Sequence, residues 1–86
     1  RDESLPKPHP DGVHEAAKQM GLSTREILMV GDFRFDVMAG SAAGARTVLL
    51  ANRESSVMLP GDPEPDYVVS NIEEILDLSR TPPIQP

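Results

Sequence analysis

The stretch that decides the fold is Ile27–Asp36, ILMVGDFRFD, where four consecutive apolar residues lead into a glycine and then two carboxylates. An apolar run of this length is typical of a strand buried on both faces of a parallel sheet. Gly31 interrupts the run, and Asp32 comes directly after it. The stretch therefore predicts a buried strand over Ile27–Val30 that ends at a polar site.

Helices are predicted on either side of this strand. Asp11 is a candidate N-cap for a helix that ends at Gly21. A second helix is predicted from about Asp36 to Ala43. Further along, Ser70 and Glu73 have the spacing of a capping box, which predicts a third helix near the end of the chain.

Short apolar runs at Thr47–Leu50 and Tyr67–Val69 predict two more strands. Alternation of strands and helices indicates an α/β domain with a parallel sheet of about three strands flanked by helices. We expect one domain over residues 1–86. Its predicted segments are a lysine loop (1–10), helix-strand-helix-strand (11–50), a proline-rich loop (51–66), strand-helix (67–79) and a tail (80–86).

Composition excludes several classes of protein. The 86 residues carry a net charge of −6, with two Phe, one Tyr and no Trp, which argues against a nucleic-acid binder. No apolar run approaches the roughly 20 residues of a membrane span. The chain has no cysteine, so it has neither disulfides nor a thiol nucleophile, and we expect an intracellular protein. Because the first residue is Arg1, we expect an excerpt of a longer protein, which leaves an upstream targeting segment open.

Asp32 and Asp36 are candidate metal ligands. In open α/β sheets, ligands bind beyond the carboxyl ends of the strands, and Asp32 follows such an end. Mg²⁺ prefers one or two carboxylates, with waters and phosphate oxygens completing its octahedron. Gly31 would let the backbone approach a bound group closely. The alternative is that Asp32 is a turn residue and Asp36 an N-cap, each contributing about 1 kcal/mol of helix stability.

Lys7 lies between Pro6 and Pro8, so we expect it in a stiff extended loop. A rigid ammonium there could neutralise charge on a phosphoryl group and on the carboxylate that attacks it. The alternative is an ordinary solvated lysine. Arg34, beside the carboxylates, is a candidate contact for a substrate anion, and its alternative is an exposed loop arginine.

Together these segments resemble the haloacid dehalogenase (HAD) superfamily of phosphohydrolases, especially its phosphoglycolate-phosphatase-like members. The stretch from Lys7 to Gly12, KPHPDG, looks like that family's third motif. The stretch from Gly31 to Gly44, GDFRFDVMAGSAAG, looks like its fourth motif and the helix after it. The resemblance covers roughly residues 5–50.

The resemblance implies a partial Rossmann-like parallel sheet flanked by helices and a Mg²⁺-dependent phosphatase that works through an aspartyl-phosphate intermediate on a small phosphorylated substrate. It implies that Lys7 steadies the intermediate, that Asp32 binds Mg²⁺ directly, and that Asp36 acts through a water or by bracing the site. Phe33 departs from the family pattern, because a small hydroxyl residue often stands there.

A larger departure is that the family's first and second motifs are absent. No Asp-x-Asp occurs anywhere in the sequence, so no nucleophile is identified. We therefore expect a C-terminal segment of a phosphatase that is inactive by itself. Two alternatives stay open: a non-catalytic interaction module, and a magnesium or phosphate binder without turnover. The strand Ile27–Val30 would then have an uncovered edge, which makes self-association possible.

Overall fold

A computed structural model describes residues 5–80 of the chain. The first four residues of the predicted lysine loop (1–10) and residues 81–86 of the predicted tail lie outside the described residues. Within residues 5–80 the chain forms three helices, three strands and one short 3₁₀ turn at Thr24–Glu26. None of these helices is long and apolar enough to cross a bilayer. The elements are α1 (Asp11–Met20), β1 (Leu28–Gly31), α2 (Arg34–Ala43), β2 (Arg46–Leu50), β3 (Tyr67–Val69) and α3 (Ile72–Arg80).

The three strands form one parallel sheet in the order β1-β2-β3. Val48 in the middle of β2 aligns with Val30 of β1 on one side and with Tyr67 of β3 on the other. The predicted α/β class with a three-stranded parallel sheet is confirmed. Because all strands point the same way, their carboxyl ends meet at one edge, where Asp32 follows β1.

Helix α2 packs closely across β1 and β2 because it carries small residues on the face that meets the sheet. A Cβ atom added to Gly40 would lie 2.8 Å from side-chain atoms of both Met29 and Thr47. Ala39 and Ala43 are buried beside it. Helix α1 packs against α2, and α3 packs against β3. This close packing fixes the start of α2 relative to the end of β1.

Strand β1 lies at the edge of the described sheet, and this corrects the expectation that it is buried on both faces. Its residues are only partly buried, and Val30 is 37% exposed. The most buried strand is β2, in which Thr47 and Val48 are almost inaccessible, whereas Arg46 at its start is exposed. A continuous apolar run predicts a strand that can be buried on both faces. Whether both faces are covered depends on which helices and strands pack next to it in the folded chain.

Two helix starts differ from the prediction. Helix α1 begins at Asp11 itself, with Pro10 as its N-cap, so Asp11 is not the cap. Helix α2 begins at Arg34, two residues before the predicted start. Asp36 is therefore the third residue of α2 and not its N-cap. Phe33 precedes this helix in an extended conformation and its carbonyl accepts the Asp36 amide at 3.0 Å.

The third helix is capped one residue later than expected. Its N-cap interactions come from Asn71, whose side-chain oxygen accepts the Glu74 amide at 3.1 Å. The Glu74 carboxylate in turn accepts the Ser70 amide at 2.7 Å. The predicted Ser70–Glu73 pair is therefore wrong in register, because either of two neighbouring polar residues could have served as the cap.

Candidate functional site

Lys7 lies in a tight turn and not in an extended loop. The His9 amide donates to the Pro6 carbonyl at 3.0 Å, and the Lys7–Pro8 peptide bond is cis. Asp11, at the start of α1, holds both sides of this turn. Its carboxylate accepts the Leu5 amide at 3.2 Å, and its own amide donates to His9 Nδ1 at 3.3 Å. The start of α1 thus fixes the position of Lys7.

The ammonium of Lys7 donates to Asp36 Oδ1, joining the turn before α1 to the first turn of α2. The lysine side chain is 53% exposed, whereas the Asp36 side chain is 11% exposed. The other oxygen, Asp36 Oδ2, accepts the Phe33 amide at 3.3 Å. Both carboxylate oxygens therefore have partners, and Asp36 fixes Lys7 at the carboxyl end of β1.

Gly31 makes room for Asp36. A Cβ atom added to Gly31 would overlap the Asp36 side chain, which crosses directly over the end of β1. The predicted reason for this glycine, close approach of a bound group to the backbone, stays a prediction. What the structure adds is that the group nearest to Gly31 is a side chain of the chain itself.

Asp32 is the more open of the two predicted metal ligands, with a side chain that is 41% exposed. Its backbone carbonyl accepts the Ser56 hydroxyl at 2.8 Å. Its Oδ2 atom forms an ion pair with Arg53 Nε at 3.2 Å. Asp32 is thus fixed through its backbone from the loop between β2 and β3, while its carboxylate faces solvent and one arginine.

Arg34 is mostly buried at the start of α2, so the alternative of an exposed loop arginine is wrong. Its Nε and Nη2 atoms donate to the two carboxylate oxygens of Asp62 at 2.8 and 2.6 Å. These hydrogen bonds lower the pKa of Asp62 below its ordinary value, and the Leu59 amide, which also donates to this carboxylate, acts in the same direction. The same pairing raises the pKa of Arg34. Contact between Arg34 and a substrate anion stays a prediction.

Three residues of the 51–66 loop that the sequence did not single out now border the predicted site. Arg53 and Ser56 contact Asp32, and Asp62 binds Arg34. They follow no regular spacing, and the loop has neither helical nor strand periodicity. The sequence offered one signal for these contacts: Arg53 and Asp62 carry charges opposite to those of Asp32 and Arg34. Opposite charges that are far apart along the chain do not by themselves identify which residues pair.

The donor set suits Mg²⁺ better than a softer metal. It consists of carboxylate oxygens, with Asp32 open and Asp36 held by Lys7. Within residues 5–80 no group of three or more His, Cys, Asp or Glu side chains could enclose an ion. Mg²⁺ commonly takes one or two carboxylates and keeps waters and phosphate oxygens as its other ligands. Asp32, with support from Asp36, fits that pattern.

Comparison with known proteins gives a consistent family relationship. The family model described as HAD-hydrolase-like matches residues 4–75. The pyrophosphatase PpaX of Bacillus velezensis is 35% identical over 78 residues, which cover 91% of this chain and 36% of that protein. The phosphoglycolate phosphatase of Escherichia coli is 36% identical over 73 residues, which cover 81% of this chain and 28% of that protein.

Solved structures share the fold. A predicted phosphoglycolate phosphatase from Haemophilus somnus superposes with a TM-score of 0.75 at 30% identity, over 90% of this chain and 35% of that one. The p-nitrophenyl phosphatase from Archaeoglobus fulgidus superposes with a TM-score of 0.66 at 29% identity, over 84% and 30% of the two chains. The chain spans about a third of the length of the relatives and structures that it matches.

Proposed function

Because the chain belongs to the HAD-like hydrolase family, we propose that Lys7, Asp32 and Asp36 form part of a Mg²⁺-dependent site that hydrolyses small phosphate monoesters through an aspartyl-phosphate intermediate. The observation that carries the proposal is the pairing of Lys7 with Asp36 over Gly31, the last residue of β1, which Asp32 follows. Two segments far apart in sequence thereby bring one cation and two carboxylates to the carboxyl end of β1. A phosphoryl-transfer site needs these charges in one place.

Each residue has a distinct task in this proposal. Asp32 offers an open carboxylate to the metal, and its backbone is held by Ser56. Asp36 orients the Lys7 ammonium, which is half-exposed and can therefore reach a phosphoryl oxygen while it stays paired. When bound, Mg²⁺ would supply Lewis acidity and align the phosphoryl group. Gly31 keeps the space above the strand end free for Asp36.

The nucleophile is proposed to lie outside these 86 residues. No Asp-x-Asp segment occurs in the sequence, and covalent phosphoryl transfer has no first step without a nucleophile. Relatives matched over about a third of their length contain further sequence that could carry it. We therefore propose that the 86-residue chain is a segment of a longer hydrolase and is inactive alone.

The test uses the longest natural protein that contains this sequence, whose intact mass is measured first. Phosphate release is assayed with Mg²⁺ and a panel that includes pyrophosphate and phosphoglycolate, which the names of the relatives suggest. Asp32→Asn and Lys7→Met should each reduce turnover by about a hundredfold or more. Arg46→Gln, at the opposite end of the sheet, removes a charge without touching the site and should leave turnover unchanged.

Two outcomes would contradict the proposal. Full activity of the Asp32→Asn protein would exclude Asp32 as the metal ligand. Phosphate release by the purified 86-residue chain, abolished by Asp32→Ala, would show that no outside nucleophile is needed.

A second candidate is an interaction module that joins another chain by strand pairing. One observation favours it: within residues 5–80, β1 pairs only with β2, so its other edge is uncovered. Exposed edge strands pair readily with other chains, including a second copy. A natural product with an intact mass of about 9.3 kDa, together with concentration-dependent self-association in sedimentation, would favour this candidate over the enzyme.

A further inference from the structure

Arg53 holds the carboxylate that the proposed function assigns to the metal. Its Nε atom lies 3.2 Å from Asp32 Oδ2, and its side chain is 68% exposed. The guanidinium is always charged at physiological pH, so the contact places a positive charge beside the oxygen that the proposed function gives to the metal. Nothing in the sequence pattern assigned a role to this residue.

The backbone of Arg53 is fixed next to Asp32 by a two-step connection. The Arg53 carbonyl accepts the Ser56 amide at 3.0 Å. The Ser56 hydroxyl then donates to the Asp32 carbonyl at 2.8 Å, and Ser56 is buried. The position of Arg53 therefore does not depend on its exposed side chain. The guanidinium can leave Asp32 by side-chain rotation alone, without movement of the loop.

We propose that Arg53 is a competing counter-ion: it holds Asp32 when no cation is bound and lowers the affinity of Asp32 for Mg²⁺. A guanidinium and Mg²⁺ that approach the same carboxylate repel each other, and an oxygen atom in a guanidinium ion pair is less available as a metal ligand. The inference rests on the proposed metal site at Asp32.

The expected size of the effect follows from exposure. Ion pairs between solvent-exposed groups are weak, so removing this one should lower the dissociation constant for Mg²⁺ by about two- to fivefold. The effect should shrink at high ionic strength, because salt screens exposed charges.

The test titrates Mg²⁺ into the longest natural protein that contains this sequence, labelled with ¹⁵N, and follows the amide signals of Gly31 and Phe33, on either side of Asp32. Arg53→Gln should bind Mg²⁺ two- to fivefold more tightly than wild type. Arg53→Lys retains a competing cation and should stay near the wild-type affinity. Arg46→Gln removes the same charge from the opposite end of the sheet, and should change affinity less than Arg53→Gln.

The outcomes separate this inference from the proposed function. Binding that is lost in Asp32→Asn but equal in wild type and Arg53→Gln would overturn the role of Arg53 and leave the metal site intact. If Arg53→Gln and Arg46→Gln raised the affinity for Mg²⁺ equally, the effect would come from the net charge of the chain. That result would also overturn the role of Arg53. Absence of Mg²⁺ binding in wild type and in Arg53→Gln, or binding at the wild-type affinity in Asp32→Asn, would overturn both proposals.

Discussion

The side chain of Asp36 occupies the space that a side chain on Gly31 would need. This contact crosses from the last residue of β1 to the first turn of α2 and sets where the carboxylate lies. From that position Asp36 reaches the Lys7 ammonium with one oxygen and the Phe33 amide with the other. A glycine at the end of the strand is thus part of the arrangement that orients the lysine.

Replacing Gly31 with alanine should therefore destabilise the chain. The new methyl group would push against the Asp36 side chain, and overpacking of this kind costs about 1–3 kcal/mol. Urea unfolding measures the loss. Gly12→Ala is the matched control, because a Cβ there meets nothing within 4 Å and lies in α1. It should raise stability by about 0.5–1 kcal/mol, and a similar loss in both variants would contradict the explanation.

The Lys7–Asp36 ion pair should be detectable as a coupling energy. Lys7→Gln removes the ammonium, and Asp36→Asn removes the charge while keeping an oxygen for the Phe33 amide. Because Lys7 is half-exposed, the double-mutant cycle should give about 0.5–1 kcal/mol of coupling, reduced in high salt. Additive effects of the two substitutions would show that the two charges do not stabilise the fold together.

Ser56 should stabilise the chain by holding the end of β1. Its hydroxyl is buried and donates to the Asp32 carbonyl. Ser56→Ala leaves that carbonyl without this donor and should lower the free energy of unfolding by about 1 kcal/mol. The neighbouring Ser55 is exposed, and Ser55→Ala should have no effect within about 0.5 kcal/mol. Faster hydrogen exchange at the backbone amide of position 56 in the Ser56→Ala variant would locate the change.

Asp62 should make the stability of the chain depend on pH in the acid range. Its pKa is lowered in the folded state, chiefly by the hydrogen bonds from Arg34. The folded chain therefore takes up this proton less readily than the unfolded chain, whose carboxyl has the ordinary pKa of 3.8. The stabilisation is complete above that value and is lost as the pH falls through the lower folded-state pKa.

Wild type should accordingly lose more unfolding free energy than Asp62→Asn between about pH 6 and about pH 3. Urea unfolding at a series of pH values measures the difference. Glu64→Gln, on the same loop, is the control and should follow the wild-type curve. Parallel curves for wild type and Asp62→Asn would contradict the lowered pKa of Asp62.

The elements of the fold could be predicted because each follows from a local pattern. Four apolar residues before Gly31 indicated a strand, and Gly21 ends α1 in the left-handed conformation that glycine favours. Several of the errors lie at helix starts, where neighbouring polar residues compete for the cap. The pattern predicts Asp11 as the N-cap of α1 and leaves an N-cap role open as the alternative for Asp36, but each residue lies inside its helix. The other errors concern the burial of β1 and the conformation of the loop that carries Lys7.

Sequence alone also selected Lys7, Asp32 and Asp36, because a lysine between prolines and two carboxylates after a strand are visible as short motifs. Only the tertiary structure decided that Lys7 pairs with Asp36, that Arg53 pairs with Asp32 and that Asp62 pairs with Arg34. These partners are far apart along the chain. Arg53 and Asp62 lie in the 51–66 loop, whose sequence has no helical or strand periodicity. Side-chain pairing across such distances depends on how α2 packs on the sheet and where the 51–66 loop returns, which no local pattern encodes.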